Sequence, residues 1–271
     1  MRRWSLLWLA LLPGVGLAQS PPLPCVDSDA LPEGPIGLGY YEADVATAHR
    51  TCPRTEVALA GRAGAVIDTP AFYGAIAADA LLSASAALDP RTELFGTLEA
   101  LHYQYAQNAT LKGGNLSLGE LTLGASRVDL ETARIASASV VRLLLPTSTA
   151  TPHAHLVGAE LGQSLTFRAT VSLELHGYLG ADFAAALSEG PAFPRGGAVL
   201  VLGAQWMPWG WLGLALDGTA RVGSTTFVAP TLAVRARAGH ALGFELAASA
   251  PLFGSDRHDG LLALRVSWRL P

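Results

Sequence analysis

From Thr55 to the C-terminus, apolar and polar side chains alternate in runs cut by turn signals. The last run, Gly260 to Leu270, is the clearest. Gly260, Leu262, Leu264, Val266, Trp268 and Leu270 share one parity, and Leu261, Ala263, Arg265, Ser267 and Arg269 the other. Side chains alternate across a strand, so this run has one apolar face and one face bearing two arginines. The same reading along the chain gives about twelve strands, an even number, with turn residues between them. They span residues 55–67, 71–86, 92–106, 115–126, 133–145, 155–164, 165–182, 196–207, 210–222, 227–238, 240–251 and 260–270.

Leu165, Phe167, Ala169, Val171, Leu173, Leu175 and Leu179 fall on one face of the seventh strand, opposite Arg168, Thr170, Ser172, Glu174, His176 and Asp182. Leu212, Leu214 and Leu216 oppose Asp217, Thr219 and Arg221, and Leu232, Val234 and Ala236 oppose Thr231, Arg235 and Arg237. In the fourth strand the parity changes between Leu116/Leu118 and Leu121/Leu123, which predicts a bulge near Gly119. Residues 71–88 and 198–216 are long and apolar enough for membrane helices. Asp79 interrupts the first and Pro208-Trp209-Gly210 breaks the second, so strands are the better reading. A soluble sandwich would turn its polar faces outward and would need an unusually large core to bury an apolar face on nearly every strand. The pattern predicts an all-β transmembrane antiparallel up-and-down barrel of about twelve strands, lipid outside and a polar lumen inside.

The N-terminus reads as a secretory signal peptide over residues 1–18. Arg2 and Arg3 precede the apolar run Trp4–Leu12, and Gly16-Leu17-Ala18 ends it. Residues 19–53 are rich in proline and acids and read as an irregular periplasmic segment, leaving 54–271 for the barrel. Only 15% of residues are charged, against about 25% in a soluble domain. Without Arg2 and Arg3 the chain carries 16 basic against 22 acidic residues, mildly acidic and with no basic tract, which argues against a nucleic-acid partner. The two cysteines, Cys25 and Cys52, both precede the strands, and in an exported chain they are candidates for a disulfide.

The alternation places Glu56, Arg62, Asp79, Glu93, Glu99, Arg142, Arg168, Glu174, His176, Asp217, Arg221, Arg235, Arg237, Glu245, Arg265 and Arg269 in the lumen. Acids dominate the early strands and arginines the late ones, so an acidic wall facing a basic wall is one expectation, as in charge-selective pores. A filled interior held shut by Arg–Glu pairs is the other. With both termini in the periplasm, most longer connections fall on the outer side, and Trp206, Trp209, Trp211 and Trp268 gather at the periplasmic rim.

The signal peptide, the alternating strands and the terminal Trp268 strand resemble Gram-negative outer-membrane β-barrels, although the chain ends Arg269-Leu270-Pro271 rather than on an aromatic. Val141 to Thr147 also resembles the strand-to-loop LPTG stretch of porin-like barrels linked to meta-pathway phenol degradation, with Ser148 in place of the glycine. These resemblances imply the outer membrane as location, its lipid and the barrel-assembly machinery as partners, and small, even hydrophobic, solutes as cargo. A closed structural or surface-interaction barrel is the alternative. Enzymatic motifs are absent: there is no Gly-x-Ser-x-Gly, phosphate loop or His-Glu-x-x-His. Ser172, Glu174 and His176 share a face and are weighed as a hydrolytic group, and His153 with His155 as a metal pair, each against a plain structural role. No cofactor, metal or catalysis is expected.

Overall fold

The computed structural model describes Cys25 and residues 49–68, 73–107, 112–149, 156–186, 195–224, 226–254 and 259–270. Fourteen strand segments form one antiparallel sheet: β1 (Glu56–Asp68), β2 (Tyr73–Asp89), β3 (Thr92–Gln107), β4 (Lys112–Ser117), β5 (Leu121–Glu131), β6 (Ile135–Leu145), β7 (Leu156–Arg168), β8 (Leu173–Ala186), β9 (Arg195–Trp209), β10 (Leu212–Gly223), β11 (Phe227–Ala238), β12 (Leu242–Ser249), β13 (Phe253–Gly254) and β14 (Gly260–Arg269). They make twelve staves, because β4 and β5 both pair with β3, and β12 and β13 both pair with β11. Each stave bonds to its neighbour in the chain. The ring closes between β1 and β14, in register from Glu56↔Arg269 to Ala65↔Gly260. Closure gives each stave a hydrogen-bonded neighbour on both sides, as crossing lipid requires.

The short connections between β2 and β3, β5 and β6, β7 and β8, β9 and β10, and β11 and β12 lie at the same end as the start of β1 and the end of β14. This is the turn end; the opposite end carries the longer connections. Local chemistry fixes several turns. Arg91 N donates to Asp89 Oδ1 at 2.7 Å, and Gly239 supplies the left-handed φ of 66° between β11 and β12. Pro208 sits where the β9–β10 register shifts, a place where the missing N–H costs no ladder bond.

The anticipated irregularity near Gly119 is a break between β4 and β5, matched by a bulge in β3. Ala80 faces Leu101 and Leu81 faces Glu99, leaving Ala100 extra. Glu99 N donates to Glu120 O and Gly119 N to Glu99 O, at 3.0 and 2.9 Å, so the ladder continues through the break. Two strand boundaries differ from expectation: β5 runs on to Glu131 rather than ending at 126, and the sixth and seventh strands are divided elsewhere. The 164/165 junction lies inside β7, and the turn falls at residues 169–172, where Thr170 Oγ1 accepts from the N–H groups of Ser172 and Leu173. The turn keeps the odd-numbered apolar residues in phase on both sides, so the alternation runs through it unbroken. Arg168 therefore belongs to β7, facing Glu174 of β8 in register, and not to one strand with it. Residues 71–88 and 198–216 show no helix where they are described; they enter β2 and β9–β10.

Outside, every stave exposes a leucine: Leu59, Leu82, Leu101, Leu123, Leu143, Leu161, Leu179, Leu202, Leu216, Leu232, Leu246 and Leu264. A continuous apolar band of this extent far exceeds the few hundred Å² patches of soluble monomers and fits hydrocarbon. Trp206, Trp209, Trp211 and Trp268 are about half exposed near the turn end, with Trp209 stacked on Trp211 at 6.0 Å.

Candidate functional site in the barrel interior

The inward face is polar and its charges are paired, stave to near stave. On β1–β3, Arg62 Nε donates to Asp79 Oδ2 at 2.6 Å, and His102 Nδ1 lies 2.7 Å from Asp79 Oδ1 and 3.2 Å from Glu99 Oε1. Asp79, Glu99 and His102 have the composition of a metal site, with ligand atoms within 4.8 Å of one another. Arg62, bonded to Asp79 and 3.8 Å from Glu99, already places a cation there. On β6–β8, Arg142 Nη1 donates to Glu160 Oε2 at 2.6 Å while the Tyr178 hydroxyl donates to Glu160 Oε1. Tyr178 reaches Glu160 by lying over Gly162, where a Cβ would overlap its ring. Farther round, Arg221 Nη2 binds both carboxylate oxygens of Asp182 at 3.0 and 2.8 Å.

On β8–β12, His176 Nε2 lies 2.6 Å from Asp217 Oδ1. These residues flank Gly203, the partner of both in register, and a side chain there would overlap both polar atoms. Arg235 Nε donates to Glu245 at 2.6 Å, and its Nη1 to Gln205. Glu174 Oε1 and His176 Nδ1 stand 3.8 Å apart, each without a hydrogen-bond partner among the described residues.

Of the residues expected inside, Glu56, Asp79, Glu174, His176, Asp217, Arg221 and Arg235 are buried. Arg62, Glu99, Glu245 and Arg265 are half-buried within the same networks, and Arg168 and Arg237 are half-buried at the turn end. The acidic and basic walls do not form. Acids and arginines far apart in sequence become neighbours across one or two staves, as Arg265 and Glu56 do through closure of the ring. Ser172 lies in the β7–β8 turn, its Oγ 3.4 Å from Thr170 Oγ1, while His176 is committed to Asp217, so the hydrolytic grouping is not assembled. His153 and His155 lie outside the described residues.

Sequence reasoning missed the segment from His49 to Arg54, which runs into the turn end of the barrel. Thr51 and Cys52 are fully buried, and His49 and Arg54 nearly so. His49 Nε2 lies 3.4 Å from Glu93 Oε2 and its ring stacks on Phe95 at 4.0 Å. Arg50 donates to Glu93 and, at 2.8 Å, to Ser85 Oγ. Thr51 Oγ1 meets Thr166 Oγ1 of β7 at 2.9 Å. Cys52 is joined to Cys25, whose N–H donates to Glu131 Oε1 at 2.8 Å. Burial holds the His49 imidazole down at about 4, despite the opposing pull of Glu93, so the ring is neutral at pH 7. Burial also lowers the Arg50 guanidinium from its ordinary value, with Glu93 opposing. The one visible signal in the sequence was the pair of cysteines, which ties this segment together without saying where it docks.

No family model and no curated protein matches the sequence. Solved structures do match by shape. The COG4313 outer membrane channel from Pseudomonas putida F1 superposes with a TM-score of 0.61 at 11% identity, covering 80% of this chain and 96% of that one. The KdgM porin in complex with disordered oligogalacturonate gives 0.55 at 9% identity, covering 80% and 99%. The NanC porin gives 0.52 at 8% identity, again covering 80% and 99%. At these identities the likeness is one of fold, and this chain has the fold of outer-membrane β-barrels.

Proposed function

We propose that the protein is an outer-membrane barrel that passes or binds small solutes. The observation that carries this reading is the combination in one closed ring of an apolar exterior and a hydrophilic, charge-paired interior. The turn end, with the start of β1 and the end of β14, faces the periplasm. Twelve staves enclose a bore between the packed eight-stranded case and the open porins. The fold neighbours titled as a channel and as porins support a transport role, and no assembled catalytic grouping among the described residues competes with it.

The pairing also bears on cargo. Arg62, Arg142, Arg221, Arg235 and Arg265 each face a carboxylate, so these arginines do not form a free basic ladder for a polyanion. Small uncharged solutes fit such an interior best. Swelling of liposomes containing the folded protein, in a series of small sugars and aromatic alcohols, tests the reading. Uptake that falls with solute size is expected. A folded protein that admits none of them, with residues 49–54 in place or released, would instead make it a closed structural barrel, the role that a pair-filled interior also permits.

A further inference from the structure

We infer that residues 49–54, clasped by the Cys25–Cys52 disulfide, are a removable plug across the periplasmic mouth; this rests on the solute-barrel reading above. The geometry is that of a crossbar. Arg54 Nη1 approaches Glu56 of β1 at 3.9 Å and Thr51 bonds Thr166 of β7, while Arg50 and His49 turn back to β2 and β3. Counting round the ring, β1, β2, β3, β5, β6 and β7 place these anchors five staves apart out of twelve, close to a diameter. Cys25, its N–H bonded to Glu131 at the end of β5, is tied by the disulfide to Cys52 in the same opening. A buried chain and a disulfide set across the mouth of a twelve-stave bore narrow the section left for a solute.

The crossbar is not part of the wall. The β1–β14 and β1–β2 ladders close the ring from Glu56 onward, so withdrawing residues 49–54 breaks no ladder bond. What holds it is mainly polar: His49 and Arg50 on Glu93, Arg50 on Ser85, the Ser85 hydroxyl on the Arg54 carbonyl and Thr51 on Thr166, with one ring stack. Water can replace the hydrogen bonds among these contacts, unlike the interlocked apolar packing of a core. The charge arrangement points the same way. Arg50, Arg54, Arg265 and Arg269 all lie within 3.9 Å of the Glu56 carboxylate, and Arg54 and Arg265 weigh against the Arg50 charge that Glu93 favours, so the docked segment brings like charges together at the mouth.

Single-channel current in planar bilayers tests this with one full-length protein carrying His49→Ala, Arg50→Ala, Cys25→Ser, Cys52→Ser, Thr51→Cys and Thr166→Cys. The first four changes release the segment, and the last two allow it to be locked to β7, at a site where the native hydroxyls already touch. Potassium chloride is the probe, and folding is checked by the mobility of the unheated protein in SDS. With the cross-link formed, conductance near that of the unaltered protein is expected; dithiothreitol should then raise it several-fold. Equal openings in both states would overturn the plug while leaving the solute barrel standing. Silence in both states would overturn both.

Discussion

At the scale of single residues, the interior shows how a barrel carries charge at low cost. Glu160 is fully buried and receives Arg142 and Tyr178, and Arg142 also lies 5.3 Å over the Phe95 ring. Removing one partner of a buried pair costs about 3–5 kcal/mol, whereas replacing both by apolar residues is often neutral. Arg142→Leu alone should therefore sharply lower the temperature at which the barrel unfolds in SDS, and Arg142→Leu with Glu160→Leu should recover most of the loss. A double variant no better than the single would show that the pair is not what stabilises this wall.

His49 offers a second test. Its ring is faced by Glu93 and Phe95 from β3, by Arg50 from its own segment and by Arg142 from β6, and burial holds its pKa near 4 against 6.5 in water. Above about pH 6.5 both docked and released forms are neutral. Between 6.5 and 4 only the released form takes up a proton, so docking weakens as pH falls, and below 4 the effect levels off. Channel openings should become more frequent as pH is lowered across that window, and His49→Gln should flatten the dependence.

At the scale of elements, alternation alone located nearly every stave, because a half-buried strand repeats every two residues and each face here meets a different medium. Leu216 and Asp217 illustrate it: adjacent in β10, one is more than half exposed to the apolar exterior and the other fully buried. Leu216→Arg should cost about 2–4 kcal/mol if the residue sits at the bilayer midplane, read as loss of the compact band in unheated SDS. An unaffected protein would mean that this face does not meet lipid. Two elements were harder to read. The turn at residues 169–172 preserved the phase of the apolar residues, so only the backbone could reveal it. Gly119 signalled a bulge, but the cause lies on the neighbouring stave, where Glu99 covers that glycine and Ala100 is the extra residue.

At the scale of the molecule, the ring explains what the linear order concealed. Sequence places acids early and arginines late, yet closure sets Arg265 beside Glu56, and long side chains reach across glycines to pair His176 with Asp217 over Gly203. Which faces point inward was legible; who pairs with whom was not, because pairing depends on register and on inward glycines that make room. The plug was invisible for a similar reason. Residues 49–54 have no strand or helix periodicity, and their placement is fixed by contacts with β2, β3 and β7, far along the chain.

The interior pairs, the lipid-facing band and the plug all presuppose a closed barrel inserted in a membrane. The most direct test is electrophoresis of the outer-membrane fraction in SDS, unheated beside boiled. A closed ring with its backbone bonds satisfied resists SDS until heated, so a band that moves on boiling is expected in that fraction. A protein found instead in the soluble periplasm, migrating identically with and without heat, would contradict the membrane barrel and with it the interior and the plug.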